Sequence, residues 1–191
     1  MKKIMLLVSA LTLGLTILNA QPIKPGSFDF AVGVGLLPTF VADGAGMKVP
    51  PLSFRVGYRL AEKFSLGAYA AYSSSETDQV NLPDGRNNHV VNDSYIVGLR
   101  AAAHTIRFDK WDIYGGLMAG YQISEVQQSA YALADDEIKN PTGPIFSRPT
   151  KNNFIFSGFV GATYFPGNRV GVFGEAGFGI SILNLGVQIK L

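Results

Sequence analysis

Apolar side chains recur at every second residue in run after run from Phe28 to the end of the chain, and the residues between them are small or polar. In Phe28-Asp29-Phe30-Ala31-Val32-Gly33-Val34-Gly35-Leu36 the apolar set is Phe28, Phe30, Val32, Val34 and Leu36, and the intervening set is Asp29, Ala31, Gly33 and Gly35. Segment 52–60 repeats the pattern, with Arg55 and Arg59 opposite Phe54, Val56 and Tyr58. The last segment sets Leu183, Leu185, Val187, Ile189 and Leu191 against Asn184, Gly186, Gln188 and Lys190. A period of two belongs to the β-strand, whose successive side chains leave opposite faces, and no long segment after Gly26 keeps the 3.6-residue period of a helix. The fold class is therefore all-β.

Alternation alone also fits a soluble sandwich or a periplasmic lipocalin-like binder, in which the apolar face fills a core. In an outer-membrane barrel the apolar face meets lipid and the other face lines the interior. The second face decides between them. It carries Gly33, Gly35, Gly57, Gly67, Gly98, Gly116, Gly120, Gly161, Gly171 and Gly177 where a solvated surface would carry Lys, Glu and Thr. A narrow interior needs small residues to make room for a few large polar ones. Aromatic residues gather near strand ends, at Phe28, Phe40, Tyr58, Phe64, Tyr72, Tyr95, Trp111, Tyr121, Phe154, Tyr164, Phe165 and Phe178, the places of interfacial girdles.

Alternating runs bounded by turn residues predict eight strands, at 27–37, 52–60, 64–73, 94–105, 111–123, 153–165, 169–179 and 182–191. The connectors at 61–63, 107–110 and 166–168 are short, and those at 38–51, 74–93 and 124–152 are long and rich in polar turn formers. Short turns on one side and long loops on the other are the arrangement of an up-and-down transmembrane barrel, with both termini periplasmic and the long loops outside the cell. The last hairpin departs from it, since Gly179-Ile180-Ser181-Ile182 leaves almost no fourth loop.

The chain opens with Met1-Lys2-Lys3, an apolar run from Ile4 to Leu18 and then Asn19-Ala20-Gln21, which reads as a secretory signal cleaved near Ala20. Residues 1–20 are thus a signal peptide and 21–191 one barrel domain in the bacterial outer membrane. Cleavage removes Lys2 and Lys3 and leaves fourteen basic against fourteen acidic side chains, so the basic isoelectric point carries no functional meaning. No clustered basic face exists for nucleic acid. The absence of Cys removes disulfide frameworks, thiol catalysis, thiolate metal sites and lipid anchoring through Cys.

The segments Val172-Phe173-Gly174-Glu175-Ala176-Gly177-Phe178-Gly179 and Leu183-Asn184-Leu185-Gly186-Val187-Gln188-Ile189-Lys190-Leu191 resemble the small outer-membrane barrel family that includes OmpX and the OmpA membrane domain. Phe159-Val160-Gly161-Ala162-Thr163-Tyr164-Phe165-Pro166 is similar to the sixth strand and turn of its porin-like relatives. The resemblance covers nearly the whole exported chain and implies an architecture, not an activity. It implies outer-membrane lipid and lipopolysaccharide around the wall, recognition of the C-terminal strand by the barrel-insertion machinery, and a monomer. Many members end in Phe where this chain has Leu191. No peptidoglycan-binding domain is expected after the barrel.

Parity assigns Asp29, Arg55, Arg59, Arg100, His104, Glu175 and Lys190 to the interior face. Buried charge is costly unless paired, so these residues are expected to form one bonded network that plugs the barrel, with Glu175 and Asp29 neutralising neighbours among Arg55, Arg100 and Lys190. The alternative is an ion-conducting pore. No enzyme is expected: His104 lies late in strand four facing inward, His89 lies in a polar loop, and neither has a Ser two residues away, as a lipid A deacylase pattern would suggest. Gly33-Val34-Gly35 lacks the third glycine and the helix of a nucleotide site. The long loops lack calcium-loop spacing, so neither metal nor cofactor is expected. Any extracellular partner would be met through the long loops.

Overall fold

The computed structural model describes residues 24–39, 46–79, 86–105, 110–132 and 152–191. The signal peptide read from residues 1–20 lies outside them, as do Phe40, most of the 107–110 turn, the tip of the 74–93 loop and most of the 124–152 loop. Eight antiparallel strands follow in order: β1 (Phe28–Gly35), β2 (Gly46–Ala61), β3 (Phe64–Gln79), β4 (Arg86–His104), β5 (Trp111–Ala132), β6 (Asn153–Tyr164), β7 (Val170–Gly177) and β8 (Leu183–Lys190). They form a closed barrel, because β1 pairs with β2 on one side and with β8 on the other. Asp29 thereby stands across from both Gly57 and Lys190.

The two faces are partitioned as a lipid-facing barrel requires. Leu99, Leu117 and Phe156 point outward and are 71%, 72% and 81% exposed, while Arg59, Glu175 and Arg100 point inward and are 2%, 6% and 9% exposed. A soluble barrel would carry the reverse, since its apolar face must leave water. Paired aromatics mark two levels of the outer wall. Phe28 packs on Tyr58 and Trp111 on Tyr164 at the end with the short turns, with ring centroids 4.9 and 5.0 Å apart. Tyr72 packs on Tyr95 and Tyr121 on Phe154 at the loop end, at 4.9 and 5.5 Å. From Phe64 to Tyr72, Trp111 to Tyr121 and Phe154 to Tyr164 the strands run nine, eleven and eleven residues, which matches the roughly nine to eleven residues of a tilted crossing. Phe165 departs from the expected girdle: it turns inward and is 2% exposed.

The strand count holds, but strand extends into all three of the expected long loops and takes up most of 74–93. The β3–β4 ladder continues past Tyr72 and Tyr95 to Gln79↔Asn88, and the β4–β5 ladder to Arg86↔Ala132. His89 is accordingly a strand residue rather than a loop residue, with Nε2 4.0 Å from Glu76 Oε2. The segment 46–51 joins this sheet through two register shifts around Val49 and Pro50-Pro51, where prolines unable to donate a ladder bond are tolerated. Apolar alternation stops at the girdle because beyond it neither face meets lipid; the backbone ladder has no such reason to stop.

The fourth loop is short because it folds into the barrel. Ile180 and Ser181 are buried, and Pro38 bridges to Ser181. Thr39 N–H donates to the Ile180 carbonyl at 3.3 Å, and Ile182 N–H to that of Leu37 at 2.8 Å. Ile180 joins Tyr69, Ala71, Ile96, Tyr114, Met118 and Phe159 in an apolar cluster that fills the loop half of the interior.

Several large interior groups fit because a glycine stands beside them. A Cβ at Gly161 would lie 2.7 Å from the Tyr114 phenol, and one at Gly57 would strike the Asp29 carboxylate. Gly161→Val is expected to lower unfolding stability by about 1–3 kcal/mol through overpacking. Outward-facing Ala119→Val should stay within about 0.5 kcal/mol. Urea unfolding of the barrel in micelles, followed by tryptophan fluorescence, checks both.

Candidate functional site

The interior is built in two bonded layers. In the central layer the Glu175 carboxylate on β7 faces two arginines from across the barrel. Arg100 on β4 donates from Nη1 to Oε1 at 2.9 Å and from Nη2 to Oε2 at 2.7 Å, a bidentate pair. Arg55 on β2 donates from Nη1 to Oε2 at 2.6 Å, and the Tyr114 hydroxyl lies 3.1 Å from the same oxygen. Arg55 Nη2 donates to Gln188 Oε1 at 3.1 Å, Thr163 Oγ1 donates to that oxygen at 2.7 Å, and Gln188 Nε2 donates to Asp29 Oδ1 at 3.1 Å. The guanidinium faces not engaged in hydrogen bonds rest on rings: Arg100 lies 3.6 Å from the Phe159 centroid, and Arg55 4.1 Å from that of Phe173. A ring face attracts a desolvated cation, so aromatic carbon takes part of the role of water.

The second layer lies at the turn end. Asp112, the second residue of β5, receives Arg59 Nη2 on Oδ2 at 3.0 Å and holds His104 Nδ1 on Oδ1 at 2.8 Å. The other ring nitrogen of His104, Nε2, is 2.8 Å from Ser65 Oγ on β3. Lys190 Nζ sits 3.6 Å above the inward-turned Phe165 ring and closes the same end. Between the layers a cavity of about 40 Å³ is bordered by Asp29, Arg55, Ser65, Arg100, His104 and Gln188, among others, which is room for about three waters. A second cavity, of about 20 Å³, lies on the loop side of Arg100 and Glu175. It borders Asn184, whose Oδ1 is buried without a hydrogen-bond partner among the described residues.

The seven residues picked out by parity thus lie inside the wall, at two levels, one central and one at the turn end. Arg55, Arg100 and Glu175 meet directly and reach Asp29 through Gln188. Arg59 and His104 meet on Asp112, which the sequence reading left out. Asp112 shares its parity with Tyr114, Gly116 and Gly120, and that was the available signal. Tyr114, Thr163 and Gln188 were also missed, being neutral at positions where only charge was sought. The Ser partner of His104 is not two residues away but in the neighbouring strand, reached by register.

No protein-family model matches the chain, and no curated protein does. Among solved structures, the outer membrane protein OprG of Pseudomonas aeruginosa aligns with a TM-score of 0.59 at 14% identity, covering 91% of this chain and 99% of that one. The N-terminal β-barrel domain of Pseudomonas aeruginosa OprF aligns with a TM-score of 0.51 at 11% identity, covering 87% of this chain and 98% of that one. The chain has the fold of the small outer-membrane β-barrels. At these identities the likeness extends to the barrel and not to its contents, so the layers are read from this chain's own residues.

Tyr114 is the neutral member that bonds charges of both signs, accepting from Arg55 Nη1 at 2.9 Å and donating to Glu175. Tyr114→Phe removes one hydroxyl and keeps the ring, and is expected to cost about 1.5–3 kcal/mol, the range for hydrogen bonds to charged groups. The shift of the urea midpoint in micelles measures it.

Proposed function

We propose that the protein is a plugged barrel of the bacterial outer membrane that serves the envelope as a rigid wall and displays the β3–β5 sheet outside the cell for contact with a partner. The observation that carries this reading is the filled interior. Glu175 with its two arginines fills the middle, Arg59 with Asp112 and Lys190 with Phe165 narrow the turn end, and Ile180 fills the loop end. An eight-stranded barrel is just wide enough for side chains to fill.

The protruding sheet supports the second half of the proposal. Beyond the loop-end girdle, β3, β4 and β5 present Glu76, Thr77, His89, Glu125 and Gln127, polar side chains that are exposed or half-buried. Hydrogen-bonded strands hold such residues in fixed positions, which lowers the ordering cost of recognition. A second reading, a narrow channel, is favoured by the cavities on either side of the Arg100–Glu175 pair.

Two measurements test the proposal. Because the chain has no Cys, Gln127→Cys on β5 should react with a membrane-impermeant maleimide on intact cells, and Glu62→Cys only after the outer membrane is permeabilised. The opposite pattern contradicts the orientation. In planar bilayers the purified protein should give no reproducible openings; openings that disappear in Arg100→Ala would establish the channel instead.

A further inference from the structure

We infer that Ser65, His104 and Asp112 form a nucleophilic serine centre at the turn mouth of the barrel, suited to neutral esters whose acyl group is about the size of acetyl. The three residues stand in the order that serine activation needs. Asp112 Oδ1 takes Nδ1–H of His104 at 2.8 Å, which leaves Nε2 as an acceptor, and Nε2 is 2.8 Å from Ser65 Oγ. A base oriented by a carboxylate and bonded to a hydroxyl is the arrangement that makes that hydroxyl a nucleophile, whatever fold carries it. Asp112 is itself pinned, because Arg59 Nη2 holds its second oxygen at 3.0 Å. The carboxylate is therefore held facing the imidazole.

Three further observations separate this arrangement from a hydrogen-bond chain that only fills space. First, Ser65 is half-buried, while the side chains of His104, Asp112 and Arg59 behind it are buried. The serine is the accessible end of the chain. Second, Ser65 and His104 border the 40 Å³ cavity, so space exists beside the hydroxyl for an acyl group of a few heavy atoms. Third, Arg55 and Arg100 border that cavity, so cationic side chains held by Glu175 and Gln188 line the space beside the hydroxyl. Asp29 borders it as well and, with Glu175, balances the two arginines, so the space carries no net charge to recruit an anion and suits a neutral ester.

The chemistry closes with water as the only co-reactant. Ser65 Oγ bonds to the ester carbonyl carbon as its proton passes to His104 Nε2, and the carbonyl pair moves onto oxygen. Collapse of that oxyanion breaks the bond to the alkoxy group, which takes the proton from Nε2 and leaves as the alcohol. Water then attacks acyl-Ser65 and gives a proton to Nε2; Ser65 Oγ departs with that proton, and the carboxylic acid is released.

Methanesulfonyl fluoride, a serine sulfonylating agent small enough for the cavity, is the probe. The purified barrel in detergent micelles should be sulfonylated at Ser65, as mapped by peptide mass spectrometry. It should also hydrolyse p-nitrophenyl acetate with an activity that Ser65→Ala abolishes. His104→Gln and Asp112→Asn should each slow Ser65 labelling, the former by at least about 100-fold, the low end of what general-base catalysis supplies. Folding of each variant is checked by its migration on unboiled gels. Absence of label on Ser65 in the folded wild type overturns the inference, and so does equal labelling of wild type and folded His104→Gln. Should His104→Gln fail to fold, the urea-unfolded wild type takes its place: loss of labelling on unfolding supports the centre, and equal labelling overturns it.

Discussion

A backbone crossing lipid must satisfy all of its N–H and C=O groups within the protein, because the bilayer core offers no water to do it. For a β chain the solution is closure, and here it is made by β1 pairing with both β2 and β8. Closure forces the period of two, since every residue of the wall faces either lipid or lumen. It also fixes the size of the lumen, because eight strands leave an interior only wide enough for side chains. The apolar outer band, the aromatic levels and the crowded interior all follow from that one requirement.

Inside a lumen of fixed size, each large group has to be matched by a small one. Gly57 makes room for Asp29, Gly161 for Tyr114 and Gly171 for Phe165. The charges then solve a second problem. Removing one partner of a buried pair is expensive, and so is turning a charge into lipid. A strand slipped by one residue would send Arg100 or Glu175 outward and Leu99 or Val172 inward. The ion pairs thus contribute to holding the register even where an apolar filling of equal volume would be as stable.

Much of this was legible in the sequence, for a physical reason: parity is local. All eight strands were placed, and the turn-end boundaries of β2, β3, β5 and β6 fell within one residue of those observed. At the loop end β2 to β5 were drawn too short because apolar alternation reports lipid contact rather than hydrogen bonding. Inward direction was readable for Arg55, Arg100 and Glu175, but their meeting was not. Arg100 on β4 and Glu175 on β7 approach across the lumen, at a height set by strand stagger that periodicity does not contain. Asp112 and Ser65 were passed over for a related reason. Ser65 pairs in register with Ala102, and His104 with Tyr114, so the Ser65, His104 and Asp112 contacts are diagonal ones between neighbouring strands.

The account turns on the central layer being a coupled unit rather than charges that happen to share a lumen. The most direct measurement is a double-mutant cycle across Arg100 and Glu175, using Arg100→Met and Glu175→Gln singly and together, with unfolding free energies from urea titrations in micelles. Arg100→Met leaves Glu175 with Arg55 alone and Glu175→Gln leaves two buried arginines without a carboxylate, whereas the double change leaves only Arg55 to be accommodated. The expected result is a coupling of about 2–3 kcal/mol, with the double variant more stable than the sum of the single losses allows. Additive losses within about 0.5 kcal/mol would contradict the account, because they would mean that the two side chains do not depend on each other inside the barrel.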